Sequence, residues 1–354
     1  MRRHIRTLLI LALAIGLIAL FLRAVDLRVV AREIRHADPM WLAISFASMF
    51  VNLVIRSLRW RYLLEPIGKT SFANAFRATA VGFAARGVLP SAAGELVRPY
   101  FLSRYESVSA TGAFATVILE RLLDMVTVLV LLAVFVFVFG RDLDATNPVA
   151  FAAVKWAGGI AAVLAVLALA VLFVLAGHPE KVTRALHRAE EVLPSRFAGM
   201  LSRIAGKFLS GLGAIRRPGR LFVALVWSFP LWLCIALGIW AVAVAFHLAV
   251  PFTGSFLLIA FLTIGVAVPT PGAVGGFHEA FRFGVTQFFG APQGAAVGGA
   301  IVLHAFSVGS ALFLGLIFAA QAGLNFTGMR QHGATDAARE ELRRCLGPDQ
   351  FDVF

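Results

Sequence analysis

VAVPTPGAVGGFHEAFRFG, residues 266–284, decides how this chain is read. It puts Pro269, Pro271, Gly272, Gly275, Gly276, His278, Glu279 and Arg282 into surroundings that are otherwise oily. The whole chain of 354 residues is 60% hydrophobic and 14% charged, with a mean hydropathy of +0.85. A soluble domain has about 45–50% apolar and about 25% charged residues. The runs at 126–140 and 158–177 have no polar face, and such helices belong in lipid. The chain therefore reads as an all-α polytopic membrane protein, and the stretch as a helix broken at membrane depth. Irregular backbone survives there only where protein or a wet cavity encloses it.

Working outward, apolar windows long enough to cross about 30 Å of hydrocarbon fall near 6–22, 40–58, 110–140, 149–176, 221–250 and 299–323. The basic start reads as a retained first span, because its apolar run is long and no A-x-A cleavage site follows. The formal charge of +13 comes mostly from arginines between the windows. In such loops they set orientation and meet anionic headgroups, so nucleic acid is not an expected partner. Arg2, Arg3, Arg6, Arg56, Arg59, Arg61, Lys69 and the basic segment at about 178–220 fall on one side if both termini are cytoplasmic. The segment holding Arg23, Arg28, Arg32 and Arg35 dissents from that count. The reading is one membrane domain over 1–325, with an amphipathic cytoplasmic segment at about 178–220 and a polar cytoplasmic tail at 326–354. The membrane is the cytoplasmic (inner) one.

Two further windows resemble each other, at about 71–105 and 255–290. Each has an apolar arm, a proline–glycine break, and a second arm opening on Glu-x-x-Arg: Glu95 and Arg98, then Glu279 and Arg282. Residues three apart share a helix face. Proline is tolerated at a helix start, so Pro90 and Pro271 read as starts of new helices. The expectation is two re-entrant hairpins entering from opposite sides, an inverted repeat within about six full spans. Two full spans per window is the rival. Helix starts after Pro90 and Pro271, with Gly272 and Gly276, suit an anion such as phosphate, and Arg86, Arg98 and Arg282 would assist. Glu95 and Glu279 would carry protons or gate one shared cavity. Structural ion pairing is the alternative for both Glu-x-x-Arg pairs.

Secondary candidates are weaker. Glu120, Arg121 and Asp124 lie in a window of about 46 Å of helix, where pairing at the cytoplasmic boundary is favoured over a site. Asn52, Arg56 and Arg59 share one face near the end of the second span, and snorkelling accounts for the arginines as well as binding does. His278 and His304 read as packed residues before proton relays. No histidine or cysteine spacing indicates a metal, neither Cys234 nor Cys345 indicates a disulfide framework, and no nucleotide loop or hydrolase elbow occurs. No cofactor is expected.

At RSLRWRYLL (56–64), GVLPSAAGELVRPY (87–100), ILERLLD (118–124) and VPTPGAVGGFHEAF (268–281) the chain resembles the transmembrane region of lysylphosphatidylglycerol synthases, a flippase-like family. The resemblance covers roughly 5–325. It implies a lipid-handling domain, here a stand-alone one expected without synthase activity. Ala84, Ala85 and Arg86 stand where relatives often carry asparagine, and His304 where a basic residue is common, which argues against a lysyl-lipid substrate. The expected function is translocation of an anionic phospholipid or polyprenyl-phosphate type lipid. The rivals are a membrane enzyme acting on a headgroup with Glu95 or Glu279 as base, and a scaffold for envelope-lipid enzymes. Such enzymes are candidate partners, and a homo-oligomer is left open.

Overall fold

The computed structural model describes residues 27–88, 91–146, 148–177, 218–268 and 270–321. The expected first span at 6–22, Pro90, nearly all of the segment at 178–220, the tail and both termini lie outside the described residues. Among the described residues all regular structure is helical. A short helix α1 (Leu27–His36) leads into α2 (Pro39–Leu64), whose start is capped by Asp38 accepting from the Met40 N–H at 2.8 Å. The first broken window forms α3 (Phe72–Val88) and α4 (Ser91–Ser103). Then come α5 (Ala110–Thr146), α6 (Pro148–Gly177) and α7 (Pro218–Ala245). The second broken window forms α8 (Gly254–Ala267), a single 3₁₀ turn (Pro271–Ala273) and α9 (Gly276–Phe289). The chain continues through α10 (Gln293–His304), a π turn (Ala305–Gly309) and α11 (Ser310–Gln321).

Among the described residues, four helical stretches are long and apolar enough to cross a membrane: Pro39–Leu64, Ala110–Val138, Gly219–Ala245 and Gln293–Gln321. The window at 149–176 is the 30-residue α6, packed on α5. The arms of the broken windows have 17, 13, 14 and 14 residues. At 1.5 Å per residue each is about 20–26 Å long, short of the roughly 30 Å hydrocarbon core. Two sequence expectations are corrected. The dissenting arginine segment is not a loop: Arg28, Arg32 and Arg35 lie on α1, which seats Val29 against Gly294 of α10. Pro271 opens only the 3₁₀ turn, and the second arm starts at Gly276, because Gly272, Ala273 and Gly275 all take positive φ and interrupt the helix.

Packing joins the two halves. α2 and α7 lie against each other, with Ser45 Oγ donating to the Gly238 carbonyl at 2.9 Å and Asn52 Nδ2 to the Leu231 carbonyl at 2.9 Å. α11 packs on α3, and α8 packs on α5, so each hairpin is clasped by the long helix that follows the other hairpin. The Pro271–Ala273 turn rests on both α3 and α4. Within the second hairpin the arms meet through small residues. A Cβ on Gly276 would run into the Gly265 carbonyl, and one on Gly284 would strike Leu258. Gly276, Ala280 and Gly284 recur every four residues and so form one smooth stripe, the arrangement that lets membrane helices approach backbone to backbone. Buried hydroxyls return to their own helices: Thr79, Thr127 and Ser228 donate to the carbonyls of Ala75, Leu123 and Ala224.

Glu106, in the loop after α4, fastens the first hairpin shut. It accepts from the Ser71 N–H, the Ser71 hydroxyl and Asn74 Nδ2, each at 2.8 Å. Burial alone would raise its carboxyl, but these hydrogen bonds outweigh it and hold the group below the ordinary glutamate value. A depressed carboxyl contributes stability that is complete above the unfolded value, near 4.3, and lost as pH falls through the folded one. Relative to the rate of an unstructured peptide at the same pH, amide exchange at the start of α3 is therefore expected to rise below about pH 4. In Glu106→Ala it should be fast already at neutral pH.

Candidate functional site: an amphipathic cavity over a buried arginine–carboxylate cluster

Helical spacing builds the floor of the site. Arg56 and Arg59 are three apart on α2, and Glu120 and Asp124 are four apart on α5, so each pair presents two charges on one face. Where the helices meet, Arg59 Nη1 lies 2.7 Å from Asp124 Oδ1, and Arg56 Nη1 lies 3.2 Å from Asp124 Oδ2 and 3.3 Å from Glu120 Oε1. Arg98 of α4 joins them, donating to Glu120 Oε2 at 2.9 Å with its guanidinium 3.8 Å over the Trp60 ring. Arg59 also donates to Ser228 Oγ, and Trp232 Nε1 donates to Asp124 Oδ1 at 3.0 Å, both from α7. Arg59 and Glu120 are fully buried, and Arg56, Arg98 and Asp124 are each 4% exposed.

Some donors in this floor remain unused. Nε of Arg56, Arg59 and Arg98 and Nη2 of Arg98 are buried without a hydrogen-bond partner. Arg59 Nη2 lies 3.0 Å from Glu120 Oε1, within reach of charge attraction but not aligned as a hydrogen bond. Buried polar groups are almost always satisfied, and an unmet donor costs about 1–3 kcal/mol.

A second layer is half-buried. Glu95 pairs with Arg86 of α3, and Arg121 Nε lies 3.2 Å from Glu95 Oε1. The guanidinium carbons of Arg56 and Arg86 each sit 5.4 Å from the centre of the Phe83 ring, whose faces attract cations. Above this layer opens a cavity of about 300 Å³. Arg56, Arg86 and Arg121 line one end; Ile235, Ile239, Ile259, Leu262 and Val266 line its apolar wall. Gly272 and Ala273 reach it from the second break, and Ser307 and Val308 from the π turn. Most ligand cavities share this character, an apolar enclosure with a few convergent polar groups.

The structure brings the sequence candidates together unevenly. Arg86 and Gly272 line the cavity, while Glu95 and Arg98 line a small recess beside it. The alternative of a Glu95–Arg98 ion pair is not realised: Arg98 turns to Glu120, and Glu95 to Arg86 and Arg121. Arg56 and Arg59 do not snorkel; they are buried and paired. Glu120, Arg121 and Asp124 are the cluster's core. Gly276 serves helix packing, and Pro271 opens the turn. Glu279 and Arg282 pair with each other on α9 and line neither the cavity nor the recess, so Glu95 and Glu279 share no cavity here. His278 and His304, unrelated by spacing, have ring centres 4.5 Å apart. His304 Nε2 donates to the Gly272 carbonyl at 2.7 Å, tying the last span to the second break. Sequence reasoning missed Trp60, Phe83, Ser228 and Trp232. The usable signal was the match between basic residues 56 and 59 and acidic residues 120 and 124, two faces of opposite charge inside apolar helices.

Comparison with known proteins places the chain in a family. A UPF0104 membrane protein of Methanocaldococcus jannaschii is 32% identical over 92 residues, 25% of this chain and 27% of that protein. A UPF0104 membrane protein of Methanothermobacter thermautotrophicus is 37% identical over 97 residues, 26% and 28% of the respective chains. The glycosyltransferase AglD of Haloferax volcanii is 28% identical over 123 residues, 34% of this chain and 19% of that protein. The matches thus span under a third of the relatives' length. No solved structure matches the chain. The pattern of the lysylphosphatidylglycerol synthase TM region matches residues 7–315, so this chain is a multi-pass membrane protein of that family.

Proposed function

We propose that the protein is a lipid translocator that moves an anionic, phosphate-bearing lipid across the cytoplasmic membrane. The observation that carries this is the cavity itself. It lies between the two halves, with three arginines at one end and apolar walls elsewhere, which matches a charged headgroup attached to a hydrocarbon tail. In this reading the short arms of α3–α4 and α8–α9 are re-entrant hairpins of an inverted repeat. Their breaks meet near the midplane, as in transporters that bind substrate at broken helices. Both termini face the cytoplasm. Arg56, Arg86 and Arg121 receive the phosphate; Glu95, bridging two of them, releases them when the headgroup arrives. The protein breaks and forms no covalent bond in this cycle.

The test is transbilayer movement of headgroup-labelled lipids in vesicles containing the purified full chain. Wild type should equilibrate an anionic label. Arg86→Gln/Arg121→Gln, matched for folding by size and helicity, should slow it by about tenfold or more, since each lost charged hydrogen bond is worth about 1.5–3 kcal/mol. Wild-type rates equal to protein-free vesicles would refute the proposal. Label whose headgroup is chemically altered would instead favour a headgroup-modifying enzyme.

A further inference from the structure

The charges in and around the cluster do not balance. Arg56, Arg59, Arg86, Arg98 and Arg121 are five cations, and Glu95, Glu120 and Asp124 are three anions, which leaves two positive charges. Every carboxylate is shared: Glu120 among Arg56, Arg59 and Arg98, Asp124 among Arg56, Arg59 and Arg121, and Glu95 between Arg86 and Arg121. No charged residue among those of α7, α8 or α11 that line the cavity offsets the surplus. One of the two surplus charges belongs to the buried cluster of Arg56, Arg59, Arg98, Glu120 and Asp124, where an uncompensated charge is strongly unfavourable; the other belongs to the half-buried layer of Arg86, Arg121 and Glu95 at the cavity. Arg56 lines the cavity and Arg98 the adjoining recess, and each keeps a buried Nε without a partner, so the carboxylates present do not saturate these arginines.

Resting on the translocator reading, we infer that the site selects a doubly charged phosphate, the terminal phosphomonoester of a lipid, over singly charged phosphodiester headgroups and over zwitterionic or cationic ones. A monoester supplies two charges and three acceptor oxygens, while a diester supplies one charge. A cationic headgroup would add to the existing surplus.

The test is equilibrium binding to the purified full chain in an uncharged detergent. The probes are dioctanoyl phosphatidate, its methyl ester (a phosphodiester with the same tails) and inorganic phosphate. At pH 8 phosphatidate should bind about tenfold or more tightly than the ester, as expected for gained contacts between charged groups. The ratio should fall towards one as pH drops through about 6, where a phosphomonoester takes up its second proton. Glu95, Glu120, Asp124, His278 and His304 face the cavity or flank it and can titrate too, but their protonation adds positive charge and so holds or raises the ratio, opposite to the fall that the ligand's own protonation produces. Arg86→Gln, which halves the surplus, should lower the pH 8 ratio. Glu95→Gln, which raises the surplus, should keep or increase it. Equal binding of the two lipids at pH 8, or both variants moving the ratio the same way, overturns the inference while leaving the translocator reading intact. Inorganic phosphate binding as tightly as phosphatidate would sustain the dianion selectivity and overturn the lipid reading. Binding of none of the three overturns both.

Discussion

Asp124→Ala is expected to destabilise the protein by about 3–5 kcal/mol, the usual result of deleting one partner from a buried ion pair. Asp124, itself 4% exposed, answers Arg59 at 2.7 Å, Arg56 at 3.2 Å and the Trp232 indole at 3.0 Å. Alanine would strand the fully buried Arg59 with Ser228 and an already shared Glu120. Thermal unfolding in detergent should show a large drop in Tm, and the Trp232 environment should change before α9 does. The paired change Arg59→Met/Asp124→Leu should recover most of the lost stability, because a buried ion pair and a packed apolar pair are often equivalent. Lipid movement should stay impaired in the double variant, since Arg56 and Arg121, which line the cavity, lose the Asp124 carboxylate that positions them. If the single variant melted within a degree of wild type, the cluster would not be the buried, mutually dependent unit described above.

Gly276→Leu should be comparably severe for a different reason. Its side chain would enter the space held by the Gly265 carbonyl, so the arms of the second hairpin must separate. Overpacking of this kind costs typically 1–3 kcal/mol and more where backbone is the obstacle. Separation would also shift Phe277, which lines the cavity, so lipid movement should fall together with Tm. Gly290→Ala is the control. Gly290 has φ 62° with open space around it, so alanine meets only backbone strain of about 1–2 kcal/mol and movement should persist. A well-folded Gly276→Leu with normal transport would contradict the close crossing of α8 and α9.

The sequence made some of this legible and hid the rest, and the division follows the range of the interaction. Proline and glycine act locally, so the breaks at 90 and 271–276 and the short arms around them could be placed from residues alone. The long apolar helices could be placed for the same reason. Partner choice for charges is not local. The spacing of Glu95 and Arg98 offers only one neighbour, whereas the folded chain offers Arg98 a better one in Glu120, 22 residues on and wholly buried. The two histidines meet because α9 and α10 pack together, which no periodicity within either helix encodes. Gly276 was noticed for its place beside a break. The four-residue recurrence to Ala280 and Gly284 was the more telling pattern, and it points to packing.

The arginine cluster also bears on how the chain enters the bilayer during synthesis. Arg56 and Asp124 lie 68 positions apart, and Arg56 and Glu120 lie 64 apart. α2 is therefore made, with its two inward arginines, well before the carboxylates that will neutralise them. An isolated arginine disfavours insertion by up to about 2.5–3.5 kcal/mol at the centre of a nascent span, and by less towards its end, where Arg56 and Arg59 lie. Until α5 is made, that end of α2 is expected to favour the headgroup region, where its arginines stay solvated. Burial of the α2 arginines against these carboxylates can therefore be completed only once α5 has been made.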